Sequence, residues 1–442
     1  MPVPNSRPEE PAGMDPHHVT LLFLALVLFS AATQVWLAFR QIRHVARHRD
    51  AVPAYFRASV PLESHQKAAD YTLVRERFGL VRLGVQLVFV LMWTVGGGIA
   101  WLNGWLAGAV APANGPLGYQ VALLGAFIAI SFVLDLPFDA YSTFRIEQRF
   151  GLNRMGPGLW IADQAKSLVI TLVLLLPLAA LILWLMGFAG PAWWLWAWAA
   201  SVAFMLLLMM VYPTLIAPLF NRFEPLADAT LADRVQGLMD RCGFAARGLF
   251  VMDGSSRSAE SNAYFTGLGR SKRVVLYDTL IAQLSRGELL AVLAHELGHF
   301  KLRHMPKQLG VSVLSALGVF AALGWLAAQP AFYAGLGAPP SPELPTDALA
   351  LVLFLAAAGV VGVFFSPLGA LFSQGHEFEA DAYAAAHADG GDLAMALIKL
   401  HRENLATLTP DPVYWRFHAS HPTVLERLSR LPQPRQAPLA HP

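Results

Sequence analysis

Seven apolar stretches constrain this chain before anything else does: about Val19–Phe39, Leu80–Ala109, Tyr119–Pro137, Trp160–Met186, Trp193–Ile216, Leu309–Tyr333 and Ala348–Phe372. The hydrocarbon core of a bilayer is about 30 Å thick and takes about 20 helical residues to cross. In lipid every backbone N–H and C=O must be satisfied within the protein, so such runs fold as helices packed into a bundle. The composition agrees: 55% of the 442 residues are hydrophobic and 14% charged, too apolar for a water-soluble globule. Gly96, Gly97, Gly98 and Pro177 fall inside these runs, where neighbouring helices can satisfy the backbone groups they leave free.

Charge is spread unevenly over the loops. The segment from Arg40 to Gly79 holds eight Lys or Arg, and Arg145, Arg149 and Arg154 form a second basic loop. The loops at about Val110–Gly118, Gly187–Ala192 and Gln329–Asp347 hold none. The positive-inside rule then places the N-terminus outside and the C-terminus in the cytoplasm, as an odd number of spans requires. The chain divides accordingly. Residues 1–18 are polar, Pro-containing and expected to be disordered; they lack the basic n-region and cleavage site of a signal peptide. Residues 19–216 hold five spans with basic cytoplasmic loops, and 217–308 form a cytoplasmic segment. Two more spans occupy 309–372, and 373–442 form a second cytoplasmic segment. Cys242 is the only cysteine, which excludes an intrachain disulfide and a thiolate metal site. Arginine outnumbers lysine 26 to 6, the bias of a GC-rich bacterial genome, so a bacterial inner membrane is the expected location. A net charge of +2 gives no ground for nucleic-acid binding.

The first cytoplasmic segment ends in Val292-Leu293-Ala294-His295-Glu296-Leu297-Gly298-His299-Phe300. This is the pattern H-E-x-x-H within a run that reads as helix from near Arg286, with Glu288 in the first turn. Two histidines four apart share a helical face, so both imidazoles can ligate one Zn²⁺. Glu296 lies between them, where it can take the proton of a water that the ion activates for attack on a peptide carbonyl. Ahead of this helix, Leu231, Val235, Leu238 and Met239 have helical spacing. Gly248–Asp253, Asn262–Thr266 and Arg273–Tyr277 read as strands, the last two joined by a turn containing Gly267, Gly269, Ser271 and Lys272. That hairpin is either scaffold or an edge to which an extended peptide adds as a further strand.

The second cytoplasmic segment opens with His376, Glu377, Glu379 and Asp381 within six residues. Helical neighbours turn by about 100°, so Glu377 and Glu379 cannot both serve one ion. Glu377 and Asp381 share a face, which suits a ligand together with an acceptor for a ligating imidazole's free N–H. Glu379 shares its face with Tyr383, where nothing suggests support for a metal. Thr423 and Glu426 have capping-box spacing, which puts His421 just before a helix and Arg427 near the end of its first turn. An imidazole there can donate to an oxyanion. It can equally be a surface histidine.

Ordered stretches over nearly the whole chain resemble the integral-membrane CAAX prenyl protease 1 family (type I). They include Lys67–Leu73, Phe144–Glu147 with Phe150–Asn153, Tyr212–Asn221, Ser261–Gly267 with Lys272–Leu276, His295–His299, Glu377–Asp381 and Ser420–Pro422. The resemblance implies a mainly α protein: a seven-transmembrane-helix bundle enclosing a water-filled chamber, with a cytoplasmic gluzincin-like zinc metalloprotease domain containing a small β-hairpin or sheet. It implies one Zn²⁺ per chain on His295, His299 and Glu377, with Glu296 as general base. It further implies that Asn262 lies beside the bound peptide, His421 faces the transition state, and Asp381 and Arg427 support the site. Eukaryotic members remove the C-terminal tripeptide of prenylated CAAX proteins. Gln374 and Gly375 stand where relatives often carry Arg-Arg, and Glu260 where some carry His, departures that bear on substrate preference.

Several other residues draw attention. Leu302 occupies the position where a third-histidine motif needs glycine, so His304 is not expected to be a ligand. His44, His48 and His65 read as a solvated basic loop, and Trp193, Trp194, Trp196 and Trp198 as an interfacial belt. Asp135, Asp139, Asp163 and Lys166 read as helix-end or chamber-lining groups. The expected function is a membrane-embedded zinc endopeptidase whose partners are a bilayer and a peptide or protein substrate, lipidated or not. The alternatives are a quality-control protease with no prenyl requirement and, in another class, a transporter or channel, which leaves the H-E-x-x-H and Glu377 set without a task.

Overall fold

The computed structural model describes residues 14–244, 248–266 and 273–432. The membrane region begins with α1 (Pro16–His48), α2 (Leu62–Trp93), α3 (Gly98–Ala109), α4 (Ala111–Tyr141), α5 (Pro157–Phe188) and α6 (Trp193–Val211). Asp15 caps α1, its Oδ1 accepting from His17 N at 3.0 Å, so the ordered chain starts before the boundary expected at 18. Helices α2 and α3 form one expected span broken at Gly96–Gly98 and bent by 53°. Glycine is required there: Gly97 has φ +76°, and a Cβ on Gly98 would lie 2.8 Å from the Met92 carbonyl oxygen. With that bent pair as one span, the described residues contain seven helical units long and apolar enough to cross a membrane.

Between the fifth and sixth spans the chain builds a small mixed sheet and the helices packed on it. In order these are β1 (Phe223–Pro225), α7 (Ala229–Arg241), β2 (Leu249–Met252), β3 (Ala263–Thr266), β4 (Arg273–Tyr277) and α8 (Arg286–Lys301). The strand order is β1-β2-β4-β3, with β2 and β4 parallel and the outer pairs antiparallel, so β3 is an edge. The three expected strands are present, and β1 is an addition too short to show periodicity. The turn containing Gly267, Gly269, Ser271 and Lys272 lies outside the described residues.

Further along the chain lie α9 (His304–Ala327), α10 (Asp347–Gly362), α11 (Ser366–His387), α12 (Gly390–Glu403), α13 (Pro412–His418) and α14 (Val424–Leu428), besides shorter helical turns. Helices α10 and α11 form one column of 41 residues from Asp347 to His387, so the boundary expected at 373 falls within a helix. Glu377 therefore rides on a direct extension of the last span.

Two cores hold this arrangement. In the membrane, Trp93, Leu102, Tyr119, Leu349 and Val352 pack with Phe23 and Leu323. Around α8, Leu289, Leu293 and Leu297 pack against Leu231, Val235 and Leu238 of α7, Leu276 of β4, and Leu393 and Leu397 of α12. Helix α8 is buried over most of its length and enclosed on several sides, its polar side chains Glu288 and His295 included. Its N-terminus carries a capping box in which Ser285 and Glu288 satisfy each other's backbone N–H, and Lys399 Nζ donates to Glu288 Oε2 at 2.7 Å. The C-terminal segment is tied to the bundle by Arg40, whose guanidinium forks onto Asp411 at 3.0 and 3.1 Å, and by Tyr414, which donates to Glu76 at 2.7 Å.

Several expectations change here. His65 is buried and its Nε2–H donates to the His48 carbonyl at 2.8 Å, so it is a helix-packing residue; His44 and His48 lie on α1 with their rings tilted by 34°, and His48 is exposed. Trp198 donates to the Val313 carbonyl at 3.1 Å and the Trp194 ring fills the space beside Gly324, so these two join α6 to α9. Trp196 remains exposed, as a belt residue would be. Arg82 pairs with Asp135 at 2.7 Å and Asp139 at 3.4 Å, and Asp135 lines a 400 Å³ cavity among α1, α2, α4 and α10 with Gln34, Gln86 and Ser131. Arg257 pairs with Asp163 at 2.9 Å.

Candidate metal centre

Helices α8 and α11 are pressed together at Gly298, where a Cβ would lie 3.1 Å from the Ala380 Cα. This close approach brings the histidines of one helix against the carboxylates of the other. His295 Nε2 and His299 Nε2 are 3.1 Å apart. Glu377 places Oε1 3.2 Å from His299 Nε2 and Oε2 3.5 Å from His295 Nε2. Four ligands at about 2.0–2.1 Å around a tetrahedral zinc stand about 3.3 Å from one another, so the three side chains already have the spacing of such a set. Glu377 Oε2 is buried and accepts no well-aligned hydrogen bond although Arg427 Nη1 is 3.2 Å away, so it keeps a lone pair available to a metal ion. Among the described residues these three are the group of His, Cys, Asp and Glu able to hold a metal ion. The donor set of two imidazoles and one carboxylate fits zinc with a ligand position left for water or substrate.

Behind the ligands lies a second layer. His295 Nδ1 is 2.8 Å from Asp381 Oδ1, one turn along α11 from Glu377. Arg427, buried at the end of the first turn of α14, forks onto Asp381 at 2.6 and 2.8 Å and reaches Glu377 Oε2 at 3.2 Å. The capping box of Thr423 and Glu426 orients that short helix. Burial acts to raise the Glu377 carboxyl's pKa, but His295, His299 and Arg427 outweigh it and hold the group far below the usual carboxylate range. Asp381 is lowered in the same way by His295 and Arg427 against its burial.

Glu296 lines a 520 Å³ cavity together with His299, Tyr264 and Phe265 of β3, and Met205 and Met209 of α6. Burial raises its carboxyl above the ordinary range, with Glu377 adding to the effect and the histidines and Arg427 opposing it. His421 is exposed and its Nε2 lies 3.5 Å from Glu377 Oε1, which brings it beside the converging group. Its Nδ1 is 2.8 Å from Ser420 Oγ and its carbonyl accepts from Trp415 Nε1 at 2.7 Å. Asn262 is exposed at the start of the edge strand β3, where its Oδ1 accepts from Ala263 N at 2.8 Å.

Two residues set aside in the sequence belong here. His304 is buried beside His299, with the two Nδ1 atoms 2.9 Å apart, and its Nε2 is 2.9 Å from Glu379 Oε2. It stands outside the converging group of His295, His299 and Glu377 but touches one of its members. Glu379, read as remote from any metal, reaches the site through it. The missing signal was the helix break between α8 and α9: counted along one continuous helix, His304 turns away from His299.

Residues 41–222 match the model of the CAAX prenyl protease N-terminal region, five membrane helices, and residues 225–435 match that of peptidase family M48. The CAAX prenyl protease 1 homolog of Arabidopsis thaliana is 33% identical over 421 residues, covering 93% of this chain and 97% of the relative. CAAX prenyl protease 1 of Saccharomyces cerevisiae is 32% identical, covering 90% and 91%. The crystal structure of S. mikatae Ste24p superposes with a TM-score of 0.88 at 30% identity, covering 93% of this chain and 98% of that one. With its zinc-fitting triad carried by a membrane bundle, this chain belongs to peptidase family M48 among the CAAX prenyl protease 1 homologues and is an integral membrane zinc metalloprotease.

Proposed function

We propose that the chain cleaves peptide bonds at the cytoplasmic end of its bundle, with His295, His299 and Glu377 holding the zinc and Glu296 as general base. The observation that carries this reading is the convergence of the three ligand groups at 3.1–3.5 Å, with His299 opening onto a cavity that Glu296 and the edge strand also line. Zinc, when bound, lowers the pKa of water and polarises the scissile carbonyl. Glu296 accepts the proton of the attacking water and passes it to the leaving amine nitrogen; its raised pKa makes it a stronger base. Asp381 and Arg427 hold His295 and Glu377 in register. Ser420 Oγ–H donates to His421 Nδ1, which leaves Nε2–H free to donate to the oxyanion as the carbonyl becomes tetrahedral. An extended peptide lies along β3, with Asn262 beside it.

Orientation follows from charge. Arg40, at the basic end of α1, pairs with Asp411 near the site, so the Arg-rich end of the bundle is also the catalytic end. The positive-inside rule puts that end in the cytoplasm and the N-terminus outside.

The substrate is a protein C-terminus of CAAX type, presented at the membrane with its lipid. The test is hydrolysis of one peptide in prenylated and unprenylated forms by the purified, zinc-loaded protein. Faster cleavage of the prenylated form supports the CAAX reading. Equal rates replace it with membrane-protein clearance that has no prenyl requirement, and no cleavage of either contradicts the peptidase assignment.

A further inference from the structure

The two ligating histidines are supported differently. His295 has a carboxylate, Asp381, directly on its Nδ1 at 2.8 Å. His299 has instead the Nδ1 of another histidine, His304, at 2.9 Å. His304 is 4% exposed, its ring stacks on His376 at 4.1 Å with 11° between planes, and its Nε2 lies 2.9 Å from Glu379 Oε2. Lys307 Nζ is 3.8 Å from the same oxygen.

The backbone is bent to make this contact. On an uninterrupted helix, residues five apart are turned by about 140° from each other, and His304 would point away from His299. The helix stops at Lys301, and Arg303 adopts φ 58° and ψ 36°, the left-handed region that non-glycine residues rarely enter. Helix α9 then restarts at His304 itself, with its ring folded back onto His299. Strained backbone next to a ligand persists only where surrounding contacts hold it.

An ionised carboxylate only accepts, so Glu379 requires a proton on His304 Nε2. A neutral His304 then has a bare Nδ1, which accepts from His299. His299 must therefore carry its proton on Nδ1, leaving the Nε2 lone pair facing Glu377 and His295. We infer that Glu379 and His304 form a positioning relay that fixes the tautomer and ring orientation of His299, the counterpart for this ligand of what Asp381 does for His295. The arrangement rests on His299 being a zinc ligand, as proposed above.

The test is zinc affinity, measured by chelator competition on the purified full-length protein in detergent, with apo-protein melting as the folding control. His304→Phe keeps the ring stack and removes the acceptor, and should weaken zinc binding about ten- to a hundredfold. His304→Asn puts an amide oxygen where Nδ1 stood and should recover most of that loss. Glu379→Ala should weaken binding in the wild-type background and have little effect on top of His304→Asn, which has no ring N–H to orient. Wild-type affinity in His304→Phe, no advantage of Asn over Phe, or an equal cost of Glu379→Ala in both backgrounds would each overturn the relay. His299→Ala separates the two levels: if it keeps wild-type affinity, the ligand assignment itself is wrong, whereas its failure to bind zinc leaves the relay to be judged on His304 and Glu379.

Discussion

His295 Nδ1 lies 2.8 Å from Asp381 Oδ1, and this contact joins the helix that carries two zinc-binding histidines to the extension of the last membrane span. Because Glu377 sits one turn before Asp381 on that extension, ligand and support move as one body. Arg427 closes the arrangement from a third element. The expected result for Asp381→Ala is a loss of zinc affinity of about ten- to a hundredfold, with peptidase activity falling in parallel and recovering at excess zinc. Titration against a chelator of known affinity measures it. Unchanged affinity would show that Arg427 and packing alone orient His295.

Much of this centre was legible in the sequence because its elements are regular. Four-residue spacing on a helix puts His295 with His299, and Glu377 with Asp381, on common faces whatever the tertiary context. Capping-box spacing likewise marked the start of α14, and Glu288 in the first turn that of α8. What was hidden depends on irregular backbone or on distant segments. Nothing around Arg303 signals a left-handed residue, so His304 and Glu379 were assigned no part in the site. The burial of His65 comes from the packing of α2 on α1, and the contacts of Trp194 and Trp198 come from a helix far away in the chain. Spans were readable from their apolar length, but α11 runs past the membrane boundary with no break in sequence, so the last span and the third ligand looked like separate segments.

Ser420 is expected to act through His421. With Ser420→Ala, the imidazole loses the donor that holds its proton on Nε2, so the population ready to donate to the oxyanion falls. His421→Ala removes the donor outright and should cost about a hundredfold or more in kcat. Ser420→Ala should cost less, about three- to tenfold, with zinc content unchanged in both variants. Steady-state kinetics on one peptide separates them; a Ser420 effect as large as that of His421 would indicate damage to the fold, not a change of tautomer.

Acid should loosen the C-terminal segment through Asp411. Burial pushes this carboxyl up, but Arg40 and the N–H groups of Tyr414 and Val413 outweigh it and hold its pKa below the ordinary value. A carboxyl lowered in the folded state contributes stability above its unfolded pKa, about 4, and loses it as pH falls through the folded value. Asp411→Asn removes the contribution and should destabilise by about 2 kcal/mol at pH 7, less than a fully buried pair because Arg40 is partly exposed. Melting of wild type and variant between pH 7 and pH 3 should show the difference shrinking below about pH 4. A gap that stays constant or widens on acidification contradicts the assignment.

Seven spans place Ser341 and Ser429 on opposite sides of the membrane. Single cysteines at these positions, in a background with Cys242 replaced, should be labelled by an impermeant reagent from outside at 341 and only after lysis or from inverted vesicles at 429. Both sites labelled from one side would remove a span from the topology. The reverse pattern would keep the spans and invert the orientation.

The central claim is that Glu296 is the base in a zinc-loaded site built from His295, His299 and Glu377. Glu296→Gln changes one oxygen to an amide in a side chain that is not a ligand, so zinc should stay bound while the proton acceptor is lost. Metal content and peptide hydrolysis measured on the same preparation of wild type and variant test this directly. The account expects about one zinc per chain in both proteins and a fall in hydrolysis of about a hundredfold or more in the variant. Hydrolysis within a few-fold of wild type, at equal zinc content, would contradict it.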